Sequence, residues 1–155
     1  MYRKAMRTKL GALCVLMVLG NACAKAENPA CTPTVTLKNG SQVLQVQVET
    51  ALTPEEQQKG LMFRTELAAG HGMVFIWPEA QQRYFWMKNT LIPLDMIFAG
   101  HGKVLGVIEN AIPHDETPRG VEGEADAVLE VNAGYAAQNG IGPGWEMHTT
   151  LCPEN

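Results

Sequence analysis

Short apolar runs separated by turn residues limit the possible fold more than any other feature of this sequence. Residues 34–50, TVTLKNGSQVLQVQVET, place Asn39 and Gly40 between two alternating runs, which is typical of a β-hairpin. Residues 94–110, LDMIFAGHGKVLGVIEN, repeat the arrangement, with the glycines of GHGK permitting a tight turn. These two hairpins predict a fold that is mainly β.

Further strands are expected along the chain. The sequence GMVFIW before Pro78 predicts a buried strand, and RYFWMKN at residues 83–89 predicts another. DAVLEV at 126–131 and PGWEMHTTL at 143–151 predict the last two. About seven strands with few helical segments favour a β-sandwich or a partly closed barrel.

Two short helices complete the prediction. Thr53 is suited to cap the first, Pro54 to occupy its first position and Gly60 to end it. Residues 132–140 predict the second, capped by Asn132 and ended by Gly140. The expected fold is therefore a single-domain β-sandwich or partly closed barrel with two short helices.

Residues 1–26 have the layout of a secretory signal peptide. A basic segment precedes the apolar run LGALCVLMVLG, and AKA before Glu27 fits the cleavage rule for small residues. The apolar run is too short for a mature anchor, so we expect no stable membrane insertion after cleavage. The alternative is a lipoprotein anchored at Cys23, which is disfavoured because GNAC lacks a leucine three residues upstream. We therefore expect residues 27–155 to form one β-rich domain that is periplasmic or secreted.

Charge narrows the range of partners. The chain has 12 Lys and Arg against 16 Asp and Glu, and five of the basic residues fall within residues 1–26. Cleavage would leave seven against 16, a net charge of −9. Such a domain repels nucleic acid and anionic lipid surfaces, so we expect neither as a partner. Acidity alone is also a common means of keeping a protein soluble.

Two cysteines remain after the predicted cleavage, near opposite ends of the domain. An isolated pair in an oxidising compartment usually forms a disulfide, so Cys31 and Cys152 are expected to be bonded. A redox pair or two metal thiolates is the alternative, but neither cysteine has a second Cys at C-x-x-C spacing.

Four motifs occur in an order that resembles the DUF192 family, a domain of unknown function. They are GLMFR at 60–64, GMVF at 72–75, FWMKNTLIPLDMIF at 85–98 and VLEVNAG at 128–134. The resemblance covers roughly residues 42–149 and implies a compact, mostly β domain that is often exported. It implies no enzymatic activity. The acidic segment HDETPRGVEGEA and the terminal cysteine pair depart from the family pattern.

The segment FWMKNTLIPLD suggests a ligand site. In a strand, Trp86, Lys88 and Thr90 would share one face, with Trp86 as an apolar platform and Lys88 as a cation beside it. Asn89 would add polar atoms, and Asp95 a carboxylate from the next strand. The structural alternative makes the aromatics core, pairs Lys88 with Asp95 and uses Asn89 and Thr90 in a turn.

Residues from the preceding segment would complete this site. Arg64 follows an apolar stretch and could reach a ligand carboxylate or sugar, or could instead bridge loop carbonyls. Met62, Phe63 and Met87 would supply apolar lining. Glu130 is an acid inside an apolar strand, and we expect it on the exposed face.

The leading functional prediction is an envelope protein that binds a small ligand, either a sugar or an anionic metabolite, without a cofactor. One alternative is an enzyme that uses Lys88 and Asp95 as an acid/base pair. The other is a copper protein that uses methionine thioethers, although methionines also fill cores. The sequence predicts no oligomeric state.

Overall fold

A computed structural model describes residues 31–153, which form a closed barrel of seven strands with two short helices. The barrel alternative of the prediction is therefore confirmed, and the barrel is closed. The predicted signal peptide and the alternative anchor at Cys23 lie outside the described residues. The elements are β1 (Thr34–Asn39), β2 (Gln42–Ala51), α1 (Pro54–Lys59), β3 (His71–Gln81), β4 (Leu94–Gly100), β5 (Lys103–Ala111), β6 (Ala125–Asn132), α2 (Tyr135–Asn139) and β7 (Glu146–Thr150).

The strands follow one another around the barrel in the order β1, β2, β3, β6, β4, β5, β7. Both predicted hairpins form, as β1–β2 and β4–β5. Strands β2 and β3 pair in parallel, which requires the crossover that carries α1. Strand β6 lies between β3 and β4 and pairs antiparallel with both. This strand positions the candidate site.

Two apolar clusters lie on opposite faces of the sheet, because side chains alternate along each strand. All seven strands contribute to the interior cluster, which includes Val74, Ile97 and Leu129. The outer cluster includes Phe75, Phe98 and Val128 and is completed by residues from the connecting segments, such as Leu61 and Met87. Consecutive residues of the central strands are therefore both buried, and those strands read as continuous apolar runs.

Residues 83–89 do not form the expected strand. Apart from a single bridge between Phe85 and Arg119, the segment has no ladder, and the chain turns at Asn89, where φ is +53°. Strand β3 instead continues past Pro78 to Gln81, and its pairing with β6 shifts register over this stretch. A proline is compatible with such an irregularity because it removes a ladder donor.

The first helix begins and ends as predicted, but the cap of the second helix was predicted incorrectly. Gly134 precedes α2 without a side-chain cap, and Asn132 instead donates from Nδ2 to the carbonyl of Leu67 at 2.8 Å. Gly140 does end the helix, at a φ of +65°. Neither helix within residues 31–153 has the length and apolarity needed to cross a membrane.

The predicted disulfide joins Cys31 to Cys152. Strands β1 and β7 pair from Lys38–Glu146 to Thr34–Thr150, so the two cysteines lie just beyond the end of this ladder. Their Cα atoms are 5.6 Å apart and 121 residues apart in sequence. The bond therefore cross-links neighbouring strands that are distant along the chain.

Candidate functional site

A cleft of about 470 Å³ opens on the outer face of the barrel, beside α1. One wall is the end of α1 with the turn that follows it, and the other is the segment 82–86. Phe75 and Trp77 of β3 and Glu130 of β6 also line it. We call this space the main cleft. Its lining combines one acidic side chain, that of Glu130, with aromatic surface, and this composition suits a small ligand.

Glu130 is the most unusual group in the main cleft. Its side chain belongs to the outer face, because it alternates with Leu129, and we expected that face to expose it. The expectation was wrong: the residue is only 5% exposed, because α1 and the segment 82–86 cover this part of the sheet. The sequence signal was present in the acid within VLEVN, but the covering segments were not foreseeable from strand alternation.

The surroundings of Glu130 give its carboxyl no stabilising partner. Its cross-strand neighbours are Met73 on β3 and Met96 on β4. Above it, a Cβ placed on Gly60 would lie 4.0 Å from Oε2 of Glu130, so the end of α1 passes close to the acid. Among residues 31–153, no side chain or main-chain group hydrogen-bonds or ion-pairs with this carboxyl, which nevertheless lines the cleft.

Burial therefore controls the ionisation of Glu130. Removal from water penalises the charged form and raises the pKa of this carboxyl from 4.5 to about 8. The group is mostly protonated at neutral pH and can then both donate and accept a hydrogen bond. Among residues 31–153 no fully buried side-chain oxygen or nitrogen lacks a hydrogen-bond partner, so the carboxyl oxygens of Glu130 are open to the cleft, where a ligand can reach them.

Aromatic rings surround this part of the cleft. The Phe85 ring meets the Phe75 ring edge-on at 5.0 Å between centroids, and it meets the Trp77 ring edge-on at 6.2 Å. The guanidinium of Arg83 lies 4.3 Å from the centre of the Trp77 ring and donates to the carbonyls of Glu79 and Ala125. The aromatic walls are thus packed together, and Arg83 is already bonded.

Helix α1 is fixed firmly as the other wall. Thr53 and Glu56 form a reciprocal capping box, in which each side chain accepts from the main-chain N–H of the other residue. From the middle of the helix, Gln57 donates to the carbonyls of Ala51 and Ile76. The helix has only six residues, so these bonds to the strands hold it in place.

The segment that carries the aromatics is fixed from behind by the acidic loop. Phe85 exchanges two main-chain hydrogen bonds with Arg119, each 2.8 Å long, and the N–H of Met87 donates to the main-chain carbonyl of Asp115 at the same distance. Hydrogen bonds from Thr117, followed by the pairing with Arg119, lower the pKa of Asp115 to about 2. The loop keeps this ion pair at neutral pH and supports the cleft wall.

A second space of about 360 Å³ adjoins the main cleft, and we call it the side lobe. Both spaces are lined by Gln58, Lys59, Met62 and Trp86. In the side lobe the ammonium of Lys88 lies 5.2 Å from the centre of the Trp86 ring, and Glu55 and Asn89 complete the lining. The structure therefore brings together Met62, Trp86, Lys88 and Asn89.

The turn between the two spaces has an unusual backbone. Phe63 and Asn89 both have positive φ, at 65° and 53°, and the N–H of Phe63 donates to the carbonyl of Asn89 at 2.8 Å. The Phe63 side chain is 66% exposed and lines neither space. Thr90 is buried and lines the main cleft, with its hydroxyl donating to the carbonyl of Lys88.

Besides Phe63, three of the predicted site residues lie outside both spaces. Met87 is fully buried in the outer cluster. Arg64 forms a bidentate pair with Glu49 and does not line the cleft, because the turn after α1 directs it toward β2. Its guanidinium lowers the pKa of Glu49 by hydrogen bonding.

Asp95 is also separate from the cleft. It is fully buried, and its carboxylate accepts from the N–H of Asn110 at 2.8 Å and from that of Ala136, at the start of α2, at 2.9 Å. No ion pair joins it to Lys88 within the described part of the chain. Because Asp95 alternates with outer-face residues of β4, it points to the side opposite the cleft. The buried position of Asp95 is explained by its hydrogen bond to the start of α2, which anchors that helix.

Three of the five methionines after residue 26 share one apolar cluster, and the other two lie apart from it. Met73, Met87 and Met96 pack in the outer cluster, whereas Met147 belongs to the interior one and Met62 lines the cleft. Among residues 31–153, no group of three or more His, Cys, Asp or Glu is arranged to hold a metal ion.

The fold and the cleft define a class: small closed β-barrels with a side cleft built from a crossover helix and an irregular segment. Within that class, the sequence model of DUF192, described as Uncharacterized ACR, matches residues 35–149. The chain belongs to the DUF192 family. No curated protein matches it.

Two solved structures are similar to this chain. One is a protein of unknown function from Novosphingobium aromaticivorans, 46% identical, with a TM-score of 0.71 over 74% of this chain and 83% of the other. The second comes from Sinorhizobium meliloti and is named for a suggested role as a transcription regulator. It is 36% identical, with a TM-score of 0.72 over 77% of this chain and 94% of the other.

Proposed function

We propose that this protein is an exported envelope module that binds a small polar ligand in the main cleft. The observation that carries the proposal is the carboxyl of Glu130, which is nearly buried, has no partner among residues 31–153 and lines the cleft. Desolvation of this carboxyl costs free energy, and its oxygens remain open to the cleft. A bound ligand would supply the missing partner.

A sugar is the ligand class that fits the cleft best. Aromatic rings supply apolar surface, while Gln58, Lys59 and Glu130 supply a few polar groups. An anionic metabolite fits less well at this acid, because Glu130 offers it no countercharge and Arg83 already donates to two carbonyls, which leaves Lys59 as the other cation of the main cleft. We therefore retain the sugar and set aside the anionic ligand.

The alternative functions have less support. Lys88 and Asp95 lie on different sides of the sheet, so the expected acid/base pair has no shared cleft. Met73, Met87 and Met96 are explained as packing in the outer cluster, so copper has less support than a sugar. The regulator role suggested for the S. meliloti protein is not carried over, because a net charge of −9 after residue 26 would repel the DNA backbone.

Binding is tested by thermal shift with a panel of neutral sugars and amino sugars, using the oxidised protein. Gln58→Trp should block the cleft, because this residue lines both the main cleft and the side lobe. Gln45→Trp is the matched control, since it places the same ring on an exposed position of β2 away from the cleft. We expect stabilisation of the wild-type and control proteins but not of Gln58→Trp. Equal shifts in all three would place binding elsewhere, and no shift for any panel member would refute the sugar.

Export is tested separately, by expressing the full chain in a Gram-negative bacterium and determining the mass of the periplasmic product. Cleavage before Glu27 and an intact Cys31–Cys152 bond are expected. A chain that begins at a lipidated Cys23 would support the anchored alternative. An uncleaved cytoplasmic chain would contradict export.

A further inference from the structure

The partner missing from Glu130 has a definite chemistry, and this inference rests on the proposed ligand site. The geometry points to a ligand that carries a protonated amine, seated on the carboxyl of Glu130 between the aromatic walls of the main cleft. An amino sugar combines such an amine with the ligand class proposed above. The amine would provide both the hydrogen-bond donor and the positive charge that the cleft lacks at this acid.

The contacts around the acid favour a cation over a neutral hydroxyl. A site that only needed to hydrogen-bond a hydroxyl would be served as well by an amide, which carries no ionisation penalty. Here the group is a carboxyl between Met73 and Met96, 5% exposed and without an ion-pair partner in the described chain. A buried carboxylate becomes favourable only with a cation close by.

The rest of the cleft is compatible with a bound cation. Phe75, Trp77 and Phe85 present aromatic surface, which attracts ammonium groups. The charged groups that line the main cleft besides Glu130 are Lys59 of α1 and Arg83 after β3. Arg83 packs against the Trp77 ring and donates to two carbonyls. Lys59 lies close to Glu49, where it adds a smaller effect to that of Arg64 in lowering the pKa of Glu49.

The neighbouring charges leave the ionisation of Glu130 to burial alone, so an amine should change it strongly. Binding of a cation stabilises the carboxylate and expels its proton, and it should therefore lower the pKa of Glu130 from about 8. By linkage, the affinity for an amine should rise with pH up to about 8, by as much as tenfold per unit. A neutral ligand would expel no proton.

The first test uses methylammonium, which is small enough to enter without matching the natural ligand. The side-chain carboxyl carbon of Glu130 is followed by NMR during a pH titration, in methylammonium chloride and in sodium chloride at equal ionic strength. Glu130→Gln assigns the signal, and the exposed Glu66 reports unspecific ion effects. We expect the pKa of Glu130 to be lower by about one unit or more in methylammonium than in sodium chloride. Superimposable titrations of Glu130 would overturn the inference.

The second test compares glucosamine with glucose, which differ by one amine in place of a hydroxyl. Calorimetry in buffers of different ionisation enthalpy should show tighter binding of glucosamine by about tenfold or more, with release of close to one proton, and Glu130→Gln should remove both differences. Equal affinities that survive Glu130→Gln would refute the amine while leaving a sugar-binding cleft. If neither sugar binds and the titrations of Glu130 are superimposable, the amine ligand is refuted as well. The cleft itself is judged by Gln58→Trp, so the two proposals fail separately.

Discussion

The buried acid of Glu130 should make the protein less stable as pH rises, and Glu130→Gln should remove that dependence. The pKa of this carboxyl is 4.5 in an unfolded chain and about 8 in the fold, so the folded state binds more protons between these values. Its contribution to stability is fully present below pH 4.5 and is lost as pH rises through about 8. The sign is opposite to that of a salt-bridged carboxylate.

The magnitude follows from the shift. One pKa unit corresponds to about 1.4 kcal/mol, so ionised Glu130 costs the fold about 5 kcal/mol relative to its protonated form. At pH 7, the free energy of unfolding is already about 3 kcal/mol lower than it is with Glu130 fully protonated. The amide of glutamine has a similar size and cannot ionise, so Glu130→Gln should match the wild type near pH 4.5 and exceed it by roughly 3 kcal/mol at pH 7.

Urea denaturation of both oxidised proteins at several pH values between 5 and 8 measures this difference. All other titrating groups are shared by the two proteins, so their effects cancel in the comparison. The gap in the free energy of unfolding should widen by about 1 kcal/mol per pH unit. Parallel pH profiles would show that Glu130 is solvated or paired in solution, and the argument for a ligand partner would then lose its basis.

Three further predictions concern the framework around the cleft. Cys31→Ser opens a loop of 121 residues and should lower the free energy of unfolding by about 4–5 kcal/mol, measured by urea denaturation; a loss below about 1 kcal/mol would contradict the loop-closure argument. Asp95→Asn leaves one of the two main-chain N–H groups without its carboxylate acceptor and should lower the free energy of unfolding by about 2–3 kcal/mol. Glu66→Gln, at an exposed position, should leave stability unchanged, and equal losses in the two variants would refute the anchoring role of Asp95. Arg64→Ala removes a surface pair whose side chains are 37% and 53% exposed, so it should cost under about 1 kcal/mol and leave sugar-induced thermal shifts unchanged; loss of those shifts would return this residue to the binding site.

The regular part of the fold could be predicted because it depends on local signals. Alternation and turn glycines predicted both hairpins, while Thr53, Pro54 and Gly60 predicted α1. Barrel closure was only one of two alternatives, since it depends on strand partners far apart in sequence. The parallel pairing of β2 with β3 illustrates this, because nothing local to either strand specifies it.

The candidate site was only partly predictable for the same reason. Trp86 and Lys88 were placed together correctly because they are two residues apart, and they meet across the indole ring. The strand assumed for residues 83–89 was wrong because the apolar residues there pack as a cover over the sheet and gain no ladder partner. That same cover buries Glu130, so an acid that strand alternation would expose became the most perturbed group in the cleft.

The position of the disulfide has a consequence for how the domain can be rearranged. Residues 31 and 152 leave adjacent strands at the same rim, so a short peptide linker could replace the sulfur bridge and make the backbone circular. New termini could then be opened at Gly40, where the β1–β2 turn has free space around it, without separating any pair of neighbouring strands. The main cleft is formed by segments other than the β1–β2 turn, so it should be preserved in such a permuted chain. That chain would need no oxidant to fold.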